Sequence, residues 1–253
     1  MKITGNTILV AGGTSGIGRA LAEAFHDRGN RVVVAGRRRA LIEEMRAERP
    51  ELMGIEVDLD DAASLPRLSD FLRQHCPELN VVIANAGISR TEDMASDRWT
   101  AEDAEAVVQT NVLGVLRLAA AVLPMVKGKA DAAFLVTSSA LAFVPRADFP
   151  TYCASKAFLH SWLQSMRHQL RGFPLEVLEL CPPYVRTGLT GAHQASDQRA
   201  MPVADYVAEV MRKLESGDTP HGEVLLEADL GRRWAERDGR YDEVFAALNP
   251  VGL

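Results

Sequence analysis

The chain has 253 residues, 47% of them hydrophobic and 25% charged, which is an ordinary composition for a globular protein. Its formal net charge of -6 argues against a surface that binds nucleic acid or an anionic membrane. The longest apolar stretch, residues 112–126, contains Arg117 and Pro124 and is too short to span a bilayer, and the N-terminal sequence shows no signal-peptide pattern. The cysteines are widely spaced, without a CxxC pair. We therefore expect a soluble, cytoplasmic protein with reduced cysteines that binds neither nucleic acid nor membrane.

Short apolar runs alternate with longer amphipathic stretches along the chain, a pattern typical of a parallel sheet with helices on both faces. Strands are predicted at residues 7–11, 31–35, 52–57, 81–84, 132–137, 175–180 and 223–226. Helices are predicted at residues 16–28, 38–48, 62–74, 101–127, 152–171, 204–215 and 241–248. Because no repeat or linker divides the chain, we predict that residues 1–253 form a single α/β domain with a doubly wound parallel sheet of about seven strands.

The periodicity of the sequence weakens after Thr187. Residues 188–202 are rich in Gly, Ala, Ser, Gln and His and show little amphipathic pattern. Long irregular loops inside compact domains are often functional. We predict that residues 187–203 form a lid over a substrate site, and a long surface loop is the alternative.

A glycine-rich turn, GGTSGIG at residues 12–18, joins the first predicted strand to the first predicted helix. Glycines let the backbone turn tightly and approach a diphosphate, and the helix N-terminus supplies free N–H groups and a partial positive charge. The spacing is GxxxGxG instead of the commoner GxGxxG, and a Walker-type loop is excluded because no Lys-Ser/Thr follows. A turn that binds nothing is disfavoured, since so many glycines cost conformational entropy. The predicted cofactor residues of this turn are Gly12, Thr14, Ser15, Gly16, Ile17 and Gly18.

A run of arginines follows the second predicted strand, where folds that bind NAD usually place an acidic residue for the ribose hydroxyls. Arg37, Arg38 and Arg39 stand at the start of a helix, where they repel one another and oppose the helix dipole. An anion bound there would balance them, and the 2′-phosphate of NADP fits. We predict NADP(H) as the preferred cofactor, NAD(H) as a possible one, and Arg37 as the contact. For Arg38 and Arg39, a solvated basic run is the alternative.

Tyr152 and Lys156 are four residues apart in a predicted helix and so share one of its faces. The ordinary pKa of tyrosine is about 10, and a lysine ammonium within about 4–6 Å would lower it by roughly 1–3 units. Such a tyrosine can exchange a proton with a carbonyl or alcohol oxygen near neutral pH. Ser139, at the end of a predicted strand, is placed to hydrogen-bond the same oxygen. Although a YxxxK pair is common by chance, here it accompanies the glycine turn and the arginine run.

Several further motifs complete a resemblance to the short-chain dehydrogenase/reductase family along nearly the whole chain. The matching segments are GGTSGIG at 12–18, Asp58 in VDLD, Asn85-Ala86-Gly87, Asn111, TSS at 137–139, Tyr152 with Lys156, and CPPYVRT at 181–187. The resemblance implies a Rossmann-like fold, a nicotinamide cofactor, and assembly into a homodimer or homotetramer through helices 101–127 and 152–171. The chain departs from the family pattern at Ala11, Pro183 and Ser15, where the family usually has threonine, glycine and, in NADP-using members, a basic residue.

The resemblance also implies which residues hold the cofactor and perform the reaction. Those outside the glycine turn and Arg37 are Asp58 at the adenine, Leu59 beside it in the chain, Asn85, Ala86 and Gly87 in the cleft, Tyr152 and Lys156, and Pro182, Val185 and Thr187 at the nicotinamide. The catalytic residues implied are Asn111, Ser139, Tyr152 and Lys156. Among these, Asn111 is expected to hold a water that links Lys156 to solvent, and Ser139 fits the family's catalytic serine better than Ser138.

These features predict an NADP(H)-dependent oxidoreductase that transfers a hydride between the nicotinamide and a small carbonyl or secondary alcohol substrate. Two alternatives stay open: a nucleotide-sensing regulator that kept the fold without the chemistry, and a reductase of imines or activated C=C bonds, which would depend less on Ser139. The histidines have no metal-ligand spacing, so no metal site is predicted. Phe143, Val144 and Phe149 are predicted to form an apolar wall of the substrate pocket.

Overall fold

The computed structural model describes residues 1–250, so the last three residues of the predicted domain, 251–253, lie outside the described part of the chain. Within residues 1–250, seven strands form one parallel sheet with the order β3-β2-β1-β4-β5-β6-β7. They are β1 (Thr7–Ala11), β2 (Arg31–Gly36), β3 (Met53–Glu56), β4 (Val81–Ala84), β5 (Ala132–Thr137), β6 (Leu175–Cys181) and β7 (Glu223–Leu225). The central strands are buried on both faces, which is why they read as unbroken apolar runs. The predicted doubly wound α/β sheet is confirmed.

Helices cover both faces of the sheet. They are α1 (Gly16–His26), α2 (Arg39–Glu48), α3 (Ser64–His75), α4 (Glu102–Val108), α5 (Gly114–Val126), α6 (Pro150–Leu170), α7 (Ala192–Ser196), α8 (Val203–Ser216), α9 (Leu230–Arg233) and α10 (Tyr241–Leu248). Alternate residues of β1 point to opposite faces. Ile8 and Val10 pack in one core with residues of α1 and α8, whereas Leu9 and Ala11 pack in the other with residues of α5 and α6.

The carboxyl ends of β1 and β4 lie at the point where the order in which strands are added to the sheet reverses. From β1 the chain moves through β2 to β3 on one side, and it then crosses back so that β4 pairs with the other side of β1. In open parallel sheets, ligands bind in the crevice that such a reversal leaves at the carboxyl ends of the strands. The glycine turn follows β1 and Asn85 follows β4, so both predicted motifs meet at this crevice.

The helix predicted at residues 101–127 is divided, because a π-helical turn, Gln109–Leu113, separates α4 from α5 and contains Asn111. A π turn inserts one residue without changing the composition, so the sequence pattern gives no sign of it. By length and composition alone, Glu102–Val126 is apolar enough to cross a membrane. However, half of its most apolar stretch is buried inside the protein, and α5 packs against α3 and β4 as a core helix does.

The segment predicted as a lid has more regular structure than its sequence suggests. It contains α7, and Val185 and Met201, near its two ends, form an isolated parallel bridge. The side chain of Gln194 is buried and donates to the carbonyl of Val185 at 2.8 Å. A helix of five residues is too short to show a helical period, which is why the prediction missed α7 and, for the same reason, α9.

Candidate active site

A cleft of about 520 Å³ lies at the carboxyl ends of the central strands. Its volume is in the range of small-molecule and cofactor sites. Most of the predicted cofactor residues line it, namely Gly12, Thr14, Ser15, Gly16, Ile17, Arg37, Asp58, Leu59, Asn85, Ala86, Gly87, Tyr152, Lys156, Pro182 and Thr187. The fold thus brings together, around one cavity, motifs that are spread over most of the chain.

Four predicted site residues are not part of the cleft lining: Gly18, Asn111, Ser139 and Val185. A side chain on Gly18 would overlap the carbonyl oxygen of Gly12, so this glycine allows α1 to pack closely beneath the turn. Val185 is buried in the hydrophobic core, which keeps its side chain away from the cleft. Asn111 and Ser139 are also buried, and they reach the site through the neighbours described below.

The backbone of the glycine turn fits a dinucleotide. Gly12 has a φ of +75°, and a Cβ atom there would lie 2.5 Å from the backbone nitrogen of Ala86. Any other residue would therefore force apart the turns that follow β1 and β4. α1 begins at Gly16, and the side chain of its N-cap residue, Ser15, does not cap the first N–H groups. These N–H groups are available to an anionic diphosphate.

Asn85 ties three strand ends together. Its Nδ2 donates to the carbonyl of Gly12 at 3.2 Å, and its Oδ1 accepts from Thr137 Oγ1 at 3.0 Å. The ends of β1, β4 and β5 are therefore held at fixed spacing. Gly87, two residues after Asn85, lies where there is little room for a side chain, because a Cβ atom on it would lie 3.4 Å from Lys156 Nζ.

The arginine run divides into two residues that line the cleft and one that does not. Arg37 and Arg38 line it, whereas Arg39 begins α2 outside it. Arg37 is more than half exposed, with the carboxylate of Asp60 at 3.5 Å. The guanidinium of Arg38 donates to Ser15 Oγ at 2.6 Å, so it is held at the glycine turn. Two positive charges therefore lie beside the turn, whereas the sequence predicted only Arg37 as a cofactor contact.

Tyr152 and Lys156 lie on the first turns of α6, and both side chains are buried. Lys156 Nζ donates to the carbonyl of Thr137 at 2.8 Å and lies 5.6 Å from the centre of the Tyr152 ring. Burial raises the pKa of Tyr152 to about 12, and a hydrogen bond with Ser139 opposes this rise only in part. Burial lowers the pKa of Lys156 to about 8, and the negative charge of Glu179 opposes that shift.

The direction of the Tyr152 shift is opposite to the one predicted, in which Lys156 lowers this pKa. Desolvation of the buried phenol is the larger effect, because the ammonium group lies beside the ring and is hydrogen-bonded to the backbone of β5. At neutral pH, Tyr152 is therefore protonated and Lys156 is mostly charged. A protonated tyrosine is the form that donates a proton to a carbonyl oxygen.

Asn111 holds the loop after β4 in place. Its Oδ1 accepts from the backbone N–H of Ile88 at 2.8 Å, and its Nδ2 donates to the carbonyl of Ile88 at 2.9 Å and to Ser155 Oγ at 3.0 Å. The amide thus connects this loop to α6, the helix that carries Tyr152 and Lys156. The water that the family resemblance implies beside Asn111 stays a prediction.

The cleft is also lined by residues that no sequence motif predicted, including Ile88, Arg90 and Thr110. Ile88 and Arg90 come shortly after the Asn85-Ala86-Gly87 motif. Of these residues, only Arg90 has a charged side chain that could have indicated a binding role from the sequence. The apolar wall predicted from Phe143, Val144 and Phe149 does not belong to this lining. Val144 is fully buried instead, and Phe143 packs edge-on against His160.

A second polar cluster lies at β6 and β7. His160 Nδ1 is 2.8 Å from a carboxylate oxygen of Glu179, and Glu223 lies opposite Glu179 in the sheet. Ligand-type atoms of these three residues lie within 4.8 Å of one another. However, Arg233 donates to both carboxylate oxygens of Glu223, at 2.7 and 2.9 Å, and Arg167 lies 3.7 Å from Glu179. Because guanidinium groups already balance the carboxylates, we interpret the cluster as an ion-pair network and not as a metal centre.

Comparison with known proteins decides the family. The family model for short chain dehydrogenases matches residues 6–198, which is well over half of the chain. The chain belongs to the short-chain dehydrogenase/reductase family. This dehydrogenase/reductase is accordingly an NAD(P)-dependent oxidoreductase with a Rossmann-like fold.

Relatives along the whole chain agree with this assignment. The dehydrogenase/reductase is 34% identical over 254 residues to an uncharacterized oxidoreductase, DltE, of Bacillus subtilis, with 98% of each chain covered. It is 27% identical over 238 residues to an NADP-dependent 3-hydroxy acid dehydrogenase of Schizosaccharomyces pombe, covering 92% of this chain and 89% of that one. A short chain dehydrogenase/reductase of Burkholderia phymatum, solved in complex with NAD, matches with a TM-score of 0.80 at 21% identity, over 100% of this chain and 99% of the other.

Proposed function

We propose that this protein transfers a hydride between NADP(H) and a small carbonyl or secondary alcohol substrate in the cytoplasm. The observation that carries the proposal is the placement of Tyr152 and Lys156 in the same cleft as the glycine turn. Burying a phenol and an ammonium group has an unfavourable free energy of desolvation, and a part in proton transfer accounts for the presence of both. A regulator that only senses a nucleotide needs the turn but not the buried pair.

Each of the proposed catalytic residues has a separate role in the proton transfer that accompanies hydride transfer. The bound nicotinamide supplies the hydride in reduction and accepts it in oxidation. Tyr152 donates its proton to the carbonyl oxygen as the substrate carbon is reduced, and it takes the proton back in oxidation. Ser139, whose side chain lowers the pKa of Tyr152 and so acts on the same phenol, orients the substrate oxygen. The ammonium of Lys156 stabilises the phenolate that remains, and Asn111 supports the route by which the proton is replaced.

Turnover tests this function. NADPH consumption is measured with a panel of small ketones and aldehydes, and NADPH affinity is measured separately by fluorescence titration. We expect Tyr152→Phe to lower kcat by about 100-fold or more, since it removes the acid, while NADPH affinity stays near that of the wild type. A comparable loss in Ser139→Ala supports a carbonyl substrate, whereas an active Ser139→Ala enzyme points to an imine or C=C bond. NADPH binding without any turnover would instead identify a sensor.

Arg37 and Arg38 support NADP(H) over NAD(H) as the cofactor. The 2′-phosphate is the group that distinguishes the two cofactors, and a guanidinium binds it through charge-assisted hydrogen bonds. We expect Arg37→Ala to weaken NADPH binding by about 10-fold or more, with little change for NADH. Arg39→Ala is the matched control, because Arg39 belongs to the same run but lies outside the cleft. Equal losses for both cofactors, or a similar loss in Arg39→Ala, would contradict the assignment.

A narrower substrate class, hydroxy and oxo acids, is favoured by Arg90. This residue lines the cleft, its side chain is 48% exposed, and its acidic neighbour Asp103 is 3.4 Å away and still more exposed. Ile88, two residues earlier, packs in the cluster around Tyr152, which places Arg90 near the catalytic side of the cleft. A guanidinium matches a carboxylate in both charge and shape. The relative from S. pombe is named for a substrate of this kind.

We further propose that residues 187–203 act as a substrate lid within a single domain formed by residues 1–253. Residues 187–189 line the cleft, so the segment starts at the site itself. Gly191, with a φ of +111°, then turns the chain into α7. We also propose assembly into a homodimer or homotetramer, whose test is given below.

A further inference from the structure

Glu179 is a fully buried carboxylate on β6, a strand whose neighbouring positions are apolar. Ser138 Oγ donates to it at 2.6 Å, His160 Nδ1 lies 2.8 Å away, and Arg167 Nη2 lies 3.7 Å away. Burial disfavours the charged form, but the hydrogen bonds from His160 and Ser138 and the nearby positive charges lower the pKa of Glu179 below its ordinary value. The side chain is therefore ionised at neutral pH.

The partners of Glu179 lie close in the chain to three of the proposed catalytic residues, Ser139, Tyr152 and Lys156. Ser138 precedes Ser139 at the end of β5. His160 lies one turn beyond Lys156 on α6, so the helix face that carries the lysine also faces this carboxylate. Three elements, β5, β6 and α6, thus meet at one buried side chain. These hydrogen bonds therefore link the residue before Ser139 to the helix that carries Tyr152 and Lys156.

Charge provides a second connection between Glu179 and the site. Lys156 is buried, and the negative charge of Glu179 favours its ammonium form. Other titratable or charged groups around this pair are Tyr152, His160 and Arg167 on α6, Cys181 on β6, Glu223 on β7 and Arg233 on α9. Among them, Glu179 is the carboxylate that acts on Lys156.

We propose that Glu179 is a positioning residue of the active site, which holds the Ser138–Ser139 segment after β5 against α6, the helix that carries Tyr152 and Lys156. This inference rests on the proposed function, because it gives Glu179 a part in the same proton transfer. Glu179 itself does not line the cleft, so it acts through its neighbours. For stability alone, a well-packed apolar side chain in this position would serve as well as a buried ion pair.

Glu223 provides a matched control. It lies opposite Glu179 in the register of β6 and β7, and it is also buried. Both of its carboxylate oxygens are held by Arg233. Replacing Glu223 by Gln removes a charge from the same layer of the fold without removing a hydrogen-bond partner of Ser138 or His160.

The first experiment compares the kinetics of E179Q, S138A and E223Q. We expect E179Q and S138A to lower kcat by about 10-fold to 100-fold, since small displacements of catalytic groups have effects of this size. NADPH affinity should change little in either variant, and E223Q should keep a kcat near that of the wild type. A wild-type kcat in both E179Q and S138A, or an equal loss in E223Q, would overturn the positioning role. S138A keeps every charge and tests that role even if E179Q does not fold.

The second experiment measures the charge effect and needs no turnover. The chain has five lysines, so NMR of the protein labelled with [13C]lysine resolves few signals, and Lys156→Arg assigns the one from Lys156. We expect the titration midpoint of Lys156 to fall by about one pH unit in E179Q, because the ammonium loses a nearby negative charge. The midpoint should stay in place in S138A and E223Q. An unchanged midpoint in E179Q would overturn the charge role. If the wild type reduces no carbonyl compound, the proposed function fails, while this titration still decides whether Glu179 controls Lys156.

Discussion

At the scale of residues, the positive charges of the cleft are the most informative feature. Among residues 1–250, four positively charged side chains line it. Arg37 and Arg38 are proposed to bind the cofactor, Lys156 to support the proton transfer, and Arg90 to bind a carboxylate of the substrate. The Nη1 of Arg90 donates to the carbonyl of Ser89 at 3.0 Å, which holds the guanidinium close to its own loop. A guanidinium held in this way is suited to bind a carboxylate of the substrate.

The role of Arg90 leads to a prediction about substrate preference. We expect Arg90→Gln to raise KM for oxo acids by about 10-fold, since it removes a charge-assisted hydrogen bond, and to leave the kinetics with neutral ketones nearly unchanged. Asp103→Asn is the control, because it removes the acidic neighbour but leaves the guanidinium, and it should not raise this KM. A weaker affinity of Arg90→Gln for NADPH would show instead that Arg90 serves the cofactor.

At the scale of elements, the site depends on how closely α1 approaches the turn after β1. Gly18 faces the carbonyl oxygen of Gly12 and Asn85 Nδ2, and a Cβ atom on it would overlap both. The hydrogen bond between Asn85 and Gly12 passes through the same space. The third glycine of the motif is therefore a packing residue, which explains why it supports the cofactor site without lining the cleft.

Substitution of Gly18 tests this packing. We expect Gly18→Ala to lower the free energy of unfolding by about 1–3 kcal/mol, which is typical of overpacking, and to weaken NADPH binding because the turn is displaced. Gly128→Ala is the control, since a Cβ atom on Gly128 would meet nothing within 4 Å. Thermal unfolding with and without NADPH measures both effects. Wild-type values for Gly18→Ala would show that the turn tolerates the displacement.

At the scale of the whole molecule, several large apolar side chains remain exposed on the helices that the family resemblance assigns to assembly. Val108, Leu113 and Phe158 are each about two-fifths exposed, on α4, the π turn and α6. Apolar surface of this kind often marks an interaction site in a soluble protein. These residues therefore support the proposed homodimer or homotetramer.

The assembly is tested by placing a charge on this surface. We expect Phe158→Glu to reduce the molecular mass of the particle, measured by analytical ultracentrifugation, because a carboxylate buried in an apolar interface is strongly unfavourable. Phe173→Glu is the control, since Phe173 is equally exposed but precedes β6, outside the predicted partner helices. A monomeric wild-type protein, or the same loss of mass in both variants, would contradict the proposal.

Much of the fold could be predicted because its signals are local. The strands are short apolar runs, and the glycine turn lies between the first strand and the first helix, so periodicity and spacing were sufficient to place them. The family resemblance then implied that the turn after β1, Asn85 and the Tyr152–Lys156 pair meet around one cofactor cleft. The lining of the cleft by these motifs agrees with that reasoning.

The sequence by itself therefore determined the sheet, its longer helices and most of the residues that meet at its carboxyl edge. Only the tertiary structure decided how those residues behave. Tyr152 has a raised pKa because it is buried, Arg38 is held at the turn by Ser15, and Ser138 is hydrogen-bonded to Glu179. Burial and hydrogen-bond partners come from segments distant in the chain, and desolvation can outweigh the effect of a neighbouring charge. The spacing of residues within one motif does not indicate which distant segments will bury those residues or form hydrogen bonds with them.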